Sequence, residues 1–308
     1  KHGHRPIILL GGGTTLIGDP SGKDTTRKIL PQKDINENIQ SIKKVFNKIL
    51  ISSNKKTKPI FVNNADWLSK LNYIKFLREI GVHFTINKML TYDSVKLRLE
   101  RAQSLSYMEF NYMILQAYDF YQLNKKKDCI LQIGGSDQWG NIVNGVDLIR
   151  RISQKDSFGL TSPLITLASG SKMGKTEEGA VWLNDDLYSP YDYWQFWRNT
   201  DDRDVKRFLN FFTELDPLKI NDLCEKENIN KLKIILANEA TKILHGNIAS
   251  KKAENTAKET FERKGIGSNL PEIKIKSLDI KKGITLIDFL SKNKILSSKG
   301  EARRAIKN

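Results

Sequence analysis

The sequence predicts an α/β fold: a doubly wound, Rossmann-like parallel sheet carrying a helical insertion, then an all-α domain and the start of a small basic module. Three observations predict it. Short apolar runs end in glycines, stretches of helical period lie between them, and beyond residue 190 the apolar patterns are all helical.

Each element follows in order. Pro6 to Leu10 is an apolar run ending in three glycines, which reads as a buried parallel strand feeding a tight loop. From Asn64 to Ile80, Trp67, Leu71, Ile74, Leu77 and Ile80 recur every three or four residues before Gly81, the pattern of one amphipathic helix with a C-terminal stop. A helical pattern covers Ser94 to Arg101 and resumes from Met108 to Tyr121, before Lys125-Lys126-Lys127 turns the chain. Cys129 to Ile133 reads as a second buried strand, closed by Gly134-Gly135 and followed by a helix from about Asp137 to Arg151. Strands alternating with helices indicate a parallel sheet covered on both faces. Pro163 to Thr176 is a Gly/Ser/Lys loop, and Tyr193, Trp194, Phe196, Trp197, Phe208, Phe211 and Phe212 supply aromatic anchors for the helical domain. The expected division is 1–162, a loop and linker over 163–189, the helical domain over 190–265, a linker over 266–282, and the basic module from 283 to 308.

Of 308 residues 39% are hydrophobic, with 5 Trp and 13 Phe, which excludes a disordered chain. Lys+Arg number 51 against 35 Asp+Glu, a net charge of +16 that favours a polyanionic partner, nucleic acid or an anionic membrane; a lysine-rich solvated surface is the plainer reading. Residues 251–308 hold 15 Lys+Arg and 7 Asp+Glu, so half of the excess sits at the C-terminal end, a placement that favours nucleic acid. Two cysteines with no CxxC exclude a disulfide framework or a cysteine zinc site and point to a reducing, cytoplasmic setting. No apolar run approaches the roughly 20 residues of a membrane span. The chain begins at Lys1 and stops at Asn308 in mid-pattern, and reads as a fragment at both ends.

Four motifs could carry chemistry. Gly11-Gly12-Gly13-Thr14-Thr15-Leu16-Ile17-Gly18-Asp19-Pro20-Ser21-Gly22-Lys23 follows a strand, where glycines let a ligand approach the backbone. It matches neither the dinucleotide nor the phosphate-loop spacing, and its other reading is a turn-rich connection. Asp19 at a strand's end, with Lys23 and Arg27 behind it, suits a ligand bearing an ammonium and a phosphate. Tyr112, Gln116 and Asp119 fall at i, i+4 and i+7 on one helix face, either a ligand stripe or a satisfied structural network. Gln132-Ile-Gly134-Gly135-Ser-Asp137-Gln138 places glycines and an Asp at a strand's carboxyl end, where open α/β sheets bind ligands; the alternative for Asp137 is a helix cap. Ser171-Lys172-Met173-Gly174-Lys175-Thr176 sets two lysines three apart in a Gly-containing loop, a pattern that is otherwise ordinary surface. His2-Gly3-His4 has no third ligand nearby, so no metal site is expected.

Together and in this order, GGGTTLIGDPSGK, YMILQAYDF, IGGSDQWGNI and KMGKT resemble the bacterial-type tyrosyl-tRNA synthetases, class I aminoacyl-tRNA synthetases, over nearly the whole chain. The resemblance implies that Asp19, Tyr112 and Gln116 hold the tyrosine ammonium with Thr14 beside them, that Asp119 accepts the phenolic hydroxyl, and that Gln132 and Gln138 line the tyrosine pocket. It implies ATP contacts from Gly134, Gly135, Asp137, Lys172, Met173 and Lys175. Lys172, Lys175 and Thr176 stand in the family's KMSKS loop and, with Lys23 and Arg27, would act on the pyrophosphate. Residues 63–128 correspond to the dimer-interface insertion, 190–265 to the anticodon-binding domain, and 283–308 to the start of a C-terminal RNA-binding module. The implied reactants are L-tyrosine, ATP with Mg2+ as a substrate complex, and tRNA(Tyr), with no resident metal or organic cofactor and no membrane. The family's HIGH histidines, and a tyrosine that partners Asp119, are expected upstream of Lys1, and catalysis is expected to need them. Rival readings are a tryptophanyl-tRNA synthetase, against which Asp119 argues because indole has no hydroxyl, and a non-catalytic RNA-binding protein on the same scaffold.

Overall fold

The computed structural model describes residues 3–18, 30–52, 54–171, 173–176, 179–261, 283–293, 295–296 and 298–307. The chain divides into two compact units, Lys1–Ile165 and Thr166–Asn308.

In the first unit, β1 (Ile7–Leu10) pairs in parallel with β2 (Ile60–Asn63), Ile7 opposite Ile60 and Leu10 opposite Asn63, across a crossover that contains α1 (Gln32–Ile49). β3 (Leu131–Gly135) pairs in parallel with β4 (Phe158–Ser162), with α7 (Trp139–Ser153) as the crossover. Parallel strands joined through helices are the Rossmann-like arrangement expected, formed among the described residues as two strand pairs. Between the pairs run α2 (Ala65–Leu68), α3 (Tyr73–Glu79), α4 (Ile86–Met89), α5 (Asp93–Glu100) and α6 (Tyr107–Lys127). Ile80, Met89, Val95, Met113, Ile114, Ala117 and Leu148 make a core beneath α6 and α7.

Local chemistry explains three departures from the sequence reading. The single helix expected over 64–80 is two, because the Asn72 side chain caps α3 by accepting from the Lys75 amide, and Ile74, on the supposed apolar stripe, is 71% exposed. The three lysines do not turn the chain: they form the last turn of α6, where cations suit the helix dipole, and Asp128 ends the helix at φ 51°. β3 begins at Leu131, includes Gly134 and Gly135, and is half-buried on one face and exposed on the other, with Ile133 68% exposed.

The second unit holds β5 (Lys175–Thr176) and β6 (Gly179–Ala180), a short antiparallel pair where a plain loop was expected. The helices α8 (Pro190–Arg198), α9 (Asp202–Phe212), α10 (Pro217–Lys226) and α11 (Ile229–Phe261) follow, as the all-helical pattern predicts. α11 kinks at Gly246, whose φ of 86° with ψ 165° is open essentially to glycine alone. Trp197 centres an aromatic cluster, 4.8 Å from the Phe212 ring and 5.1 Å from Phe196. α12 (Leu286–Lys292) and α13 (Lys299–Lys307) close the chain, linked by Lys299 and Asp288 at 2.6 Å.

Candidate active site

The site is built where β1, β2 and β3 end. Leu10 leads into Gly11-Gly12-Gly13 and a 3-10 turn at Thr14–Leu16. Glycine is needed because of what lies beside it: a Cβ on Gly12 would collide with Asn63 Oδ1, and one on Gly13 would sit 3.0 Å from Leu68. The freed amides bond the end of β2, Gly12 N–H to Asn63 Oδ1 at 3.2 Å and Gly13 N–H to Asn64 Oδ1 at 2.7 Å.

Asn64, 1% exposed, is fixed in orientation by that second bond. Its amide nitrogen must face the other way, and it donates to Thr14 Oγ1 at 2.9 Å and to Asp119 Oδ2 at 2.8 Å. Trp67 Nε1 donates to the other carboxylate oxygen, Asp119 Oδ1, at 2.7 Å. Asp119 is 2% exposed on α6. Burial disfavours its charged form and raises it from 3.8 to about 7, against the opposing pull of the Asn64 and Trp67 bonds. The arrangement is a desolvated acceptor with a donor on each oxygen, titrating near neutrality and suited to a ligand hydroxyl.

α6 is held for this task by its start. Ser106 and Glu109 form a capping box, and Arg98, 4% exposed, donates to Glu109 Oε1 at 3.0 Å and to the Ser104 carbonyl. Tyr112 and Gln116 are half-buried on the turns before Asp119.

Gln132, the second residue of β3, has a buried Oε1 with no hydrogen-bond partner among the described residues. A Cβ on Gly135 would lie 2.7 Å from Asp137 Oδ1, and Asp137 itself is exposed. Gln138 accepts from the Asn141 amide at 3.1 Å.

The lysine loop belongs to the second unit. Its base turns through Gly170, whose amide bonds the Leu167 carbonyl at 2.8 Å, and Val181 N–H bonds the Gly174 carbonyl at 3.0 Å across the β5–β6 pair. Asp204 of α9, 2% exposed, accepts the Ala168 amide at 2.7 Å and pairs with Arg207, which also reaches the Thr166 carbonyl.

The structure thus joins Thr14 to Asp119 through Asn64 and gathers Gly134, Gly135, Asp137 and Gln138 at the end of β3, with Gln132 near the start of that strand. Asp19, Lys23, Arg27 and Lys172 lie outside the described residues, as do the side chains of Lys175 and Thr176; Met173 is half-buried. Sequence reasoning missed Asn64 and Trp67. The available signal was a tryptophan on a helix face, since a buried indole N–H needs an acceptor. Among the described residues no group of three or more His, Cys, Asp or Glu could hold a metal, and no helix is long and apolar enough to cross a membrane.

A parallel α/β unit with its polar residues at the strand ends, followed by a lysine loop and a helical unit, is the plan of a class I synthetase. Residues 1–262 match the family model described as tRNA synthetases class I (W and Y), and the chain belongs to that family of enzymes. It is 61% identical over 307 residues to a tyrosine–tRNA ligase of Pelagibacter ubique, covering 100% of this chain and 75% of the relative. To a tyrosine–tRNA ligase of Caulobacter vibrioides it is 53% identical over 304 residues, covering 98% and 73%. Among solved structures, a C-terminally truncated mitochondrial tyrosyl-tRNA synthetase of Aspergillus nidulans superposes with a TM-score of 0.70 at 29% identity, over 84% of this chain and 77% of that one.

Proposed function

We propose that the chain is a tyrosine–tRNA ligase that activates L-tyrosine with ATP and transfers it to tRNA(Tyr). The observation that carries the choice of tyrosine is the 61% identity to a tyrosine–tRNA ligase over the whole chain, and Asp119, an acceptor buried between two donors, suits a phenolic hydroxyl. The tyrosine carboxylate attacks the α-phosphorus of Mg-ATP, giving tyrosyl-adenylate and pyrophosphate, and the tyrosyl group then passes to the terminal ribose of the tRNA.

Asp119 reads the phenol, while Tyr112, Gln116, Asp19 and Thr14 hold the ammonium and Gln132 and Gln138 face the substrate. Asp137 takes the ribose beside Gly134 and Gly135, where a Cβ on Gly135 would crowd the Asp137 carboxylate. Both reactants are anionic, so orientation and cationic stabilisation supply most of the rate, and Lys172, Lys175, Lys23 and Arg27 are the cations we assign to the departing pyrophosphate. The helical residues 190–265 and the basic residues 283–308 take the tRNA, in a cytoplasmic setting. The insertion over 63–128 pairs two copies of the chain: Ile74, Val82 and Ile86 are large apolar side chains left exposed there.

ATP–pyrophosphate exchange with each aromatic amino acid, run on the protein with its upstream sequence, tests the reading. Exchange with tyrosine and not with tryptophan or phenylalanine is expected. Exchange driven by tryptophan replaces the reading with the sister specificity, and tRNA binding without any exchange replaces it with an RNA-binding role.

A further inference from the structure

A buried carboxylate needs partners, and the helical unit places one where its partner is the root of the lysine loop. Asp204 is the third residue of α9 and is 2% exposed. A carboxylate in that position ordinarily turns back to the free amides of its own helix start. In α9 the start is capped by Asp201, whose side chain accepts the Arg203 amide at 2.9 Å. The Asp204 carboxylate is directed elsewhere, to the Ala168 amide at 2.7 Å and to Arg207. The Arg207 guanidinium lies 5.1 Å from the Phe208 ring centre and donates to the Thr166 carbonyl as well. One ion pair therefore grips the loop backbone at two residues, Thr166 and Ala168.

The grip is relayed towards the lysines by the turn itself. Leu167, between the two held residues, donates its amide to the Ser171 carbonyl at 2.8 Å, and the Gly170 amide closes the turn on the Leu167 carbonyl at 2.8 Å. Ser171 directly precedes Lys172 in the chain. Ser169, Gly170 and Ser171 are exposed, so core packing does not fix them. We propose that Asp204 and Arg207 are positioning residues for adenylate formation: by holding the backbone at Thr166 and Ala168 they set the point from which Lys172 and Lys175 act on the departing pyrophosphate. The proposal rests on the tyrosine–tRNA ligase reading and on the part of the two lysines in it. A cation stabilises a transition state only where its approach is fixed, and a misplacement of about 1 Å can cost on the order of 100-fold in rate.

The test uses the protein with its upstream sequence and two variants. Asp204→Ala removes the acceptor of the Ala168 amide. Arg207→Met keeps the length of a side chain that is 40% exposed, which spares the fold, and removes the bond to Thr166. Adenylate formation is followed by pre-steady-state kinetics at saturating tyrosine and ATP, with tyrosine's Kd measured alongside. Each variant is expected to slow the step by about 10- to 100-fold and to leave the Kd within about 2-fold. The same changes are then made in a Lys172→Ala/Lys175→Ala protein. With no lysine left to position, each should slow the step further by less than about 2-fold. An undiminished loss in that background overturns the proposal, and so do wild-type rates in Arg207→Met.

Hydrogen exchange supplies a readout besides activity. In Arg207→Met the amides of residues 167–171 should exchange faster while α8 and α11 keep their protection. Protection lost across those helices as well would make Arg207 a support of the whole unit and overturn the proposal. Failure of the readings beneath it has its own signatures. A wild type without tyrosine-dependent pyrophosphate exchange removes the ligase reading. A Lys172→Ala/Lys175→Ala protein that forms adenylate at the wild-type rate removes the part of the lysines, and either result takes the proposal with it.

Discussion

At the scale of single residues, Asp119, the proposed reader of the phenol, also bears on stability. Its folded value of about 7 stands above the ordinary 3.8, so the folded state binds the extra proton between those limits. The stability it contributes is therefore full below about pH 4 and is lost as pH rises through 7, at up to about 1.4 kcal/mol per pH unit. Denaturation at a series of pH values should show this slope in the wild type and its absence, by difference, in Asp119→Ala. The lysines make the opposite kind of prediction: on the proposed reading they should be required by the reaction and dispensable to the fold. Lys172→Ala and Lys175→Ala should each slow adenylate formation by roughly 30- to 1000-fold, with tyrosine's Kd nearly unchanged, read by pre-steady-state kinetics at saturating ATP. Asp119 stood out in the sequence as one of three polar residues, with Tyr112 and Gln116, on one face of a helix, and the resemblance to the synthetases supplied its role. Asn64 and Trp67 were not, because an asparagine after a strand reads as a cap and a tryptophan on a helix face as core. Their role lies in orientation, which periodicity does not encode.

At the scale of elements, α6 owes its position to a buried ion pair as well as to its apolar face. Burial would push the Glu109 carboxyl up, and the Ser106 amide and Arg98 outweigh it, so the group sits below its usual range. Removing Arg98 strands a buried charge; Arg98→Ala should cost about 3–5 kcal/mol in chemical denaturation, while Ser106→Ala should cost about 0.5–2 kcal/mol. The capping box itself, a Ser followed three residues later by a Glu, could be read from the chain, and so could α6, α7 and β1. The break between α2 and α3 could not, since Leu71 and Ile74 keep the helical spacing across it and only the Asn72 side-chain bond ends the register. α1, β2 and β4 went unread for a related reason: β2 and β4 are four and five residues long, and each is defined by its parallel partner rather than by its own pattern.

At the scale of the whole molecule, two units with separate cores should respond separately to damage. Trp197 packs against Tyr193, Phe196, Phe208 and Phe212, and Trp197→Ala should cost about 3–5 kcal/mol. Hydrogen-exchange mass spectrometry should find protection lost in α8, α9 and α11 and retained in α6 and α7. The all-helical character of the second unit was legible because aromatic anchors recur with helical period from 190 onward. The kink at Gly246 was less so, because one glycine in a long helical pattern is as readily a weak position as a bend. The Asp204–Ala168 bond and the reach of Arg207 to Thr166 have a bearing on inheritance. They tie the root of the lysine loop to α9. In recombination between related genes, a crossover at Ile165 and Thr166 moves the loop together with the helix that anchors it. A crossover twenty residues later would give the loop a foreign α9, so hybrids that survive should share the earlier seam.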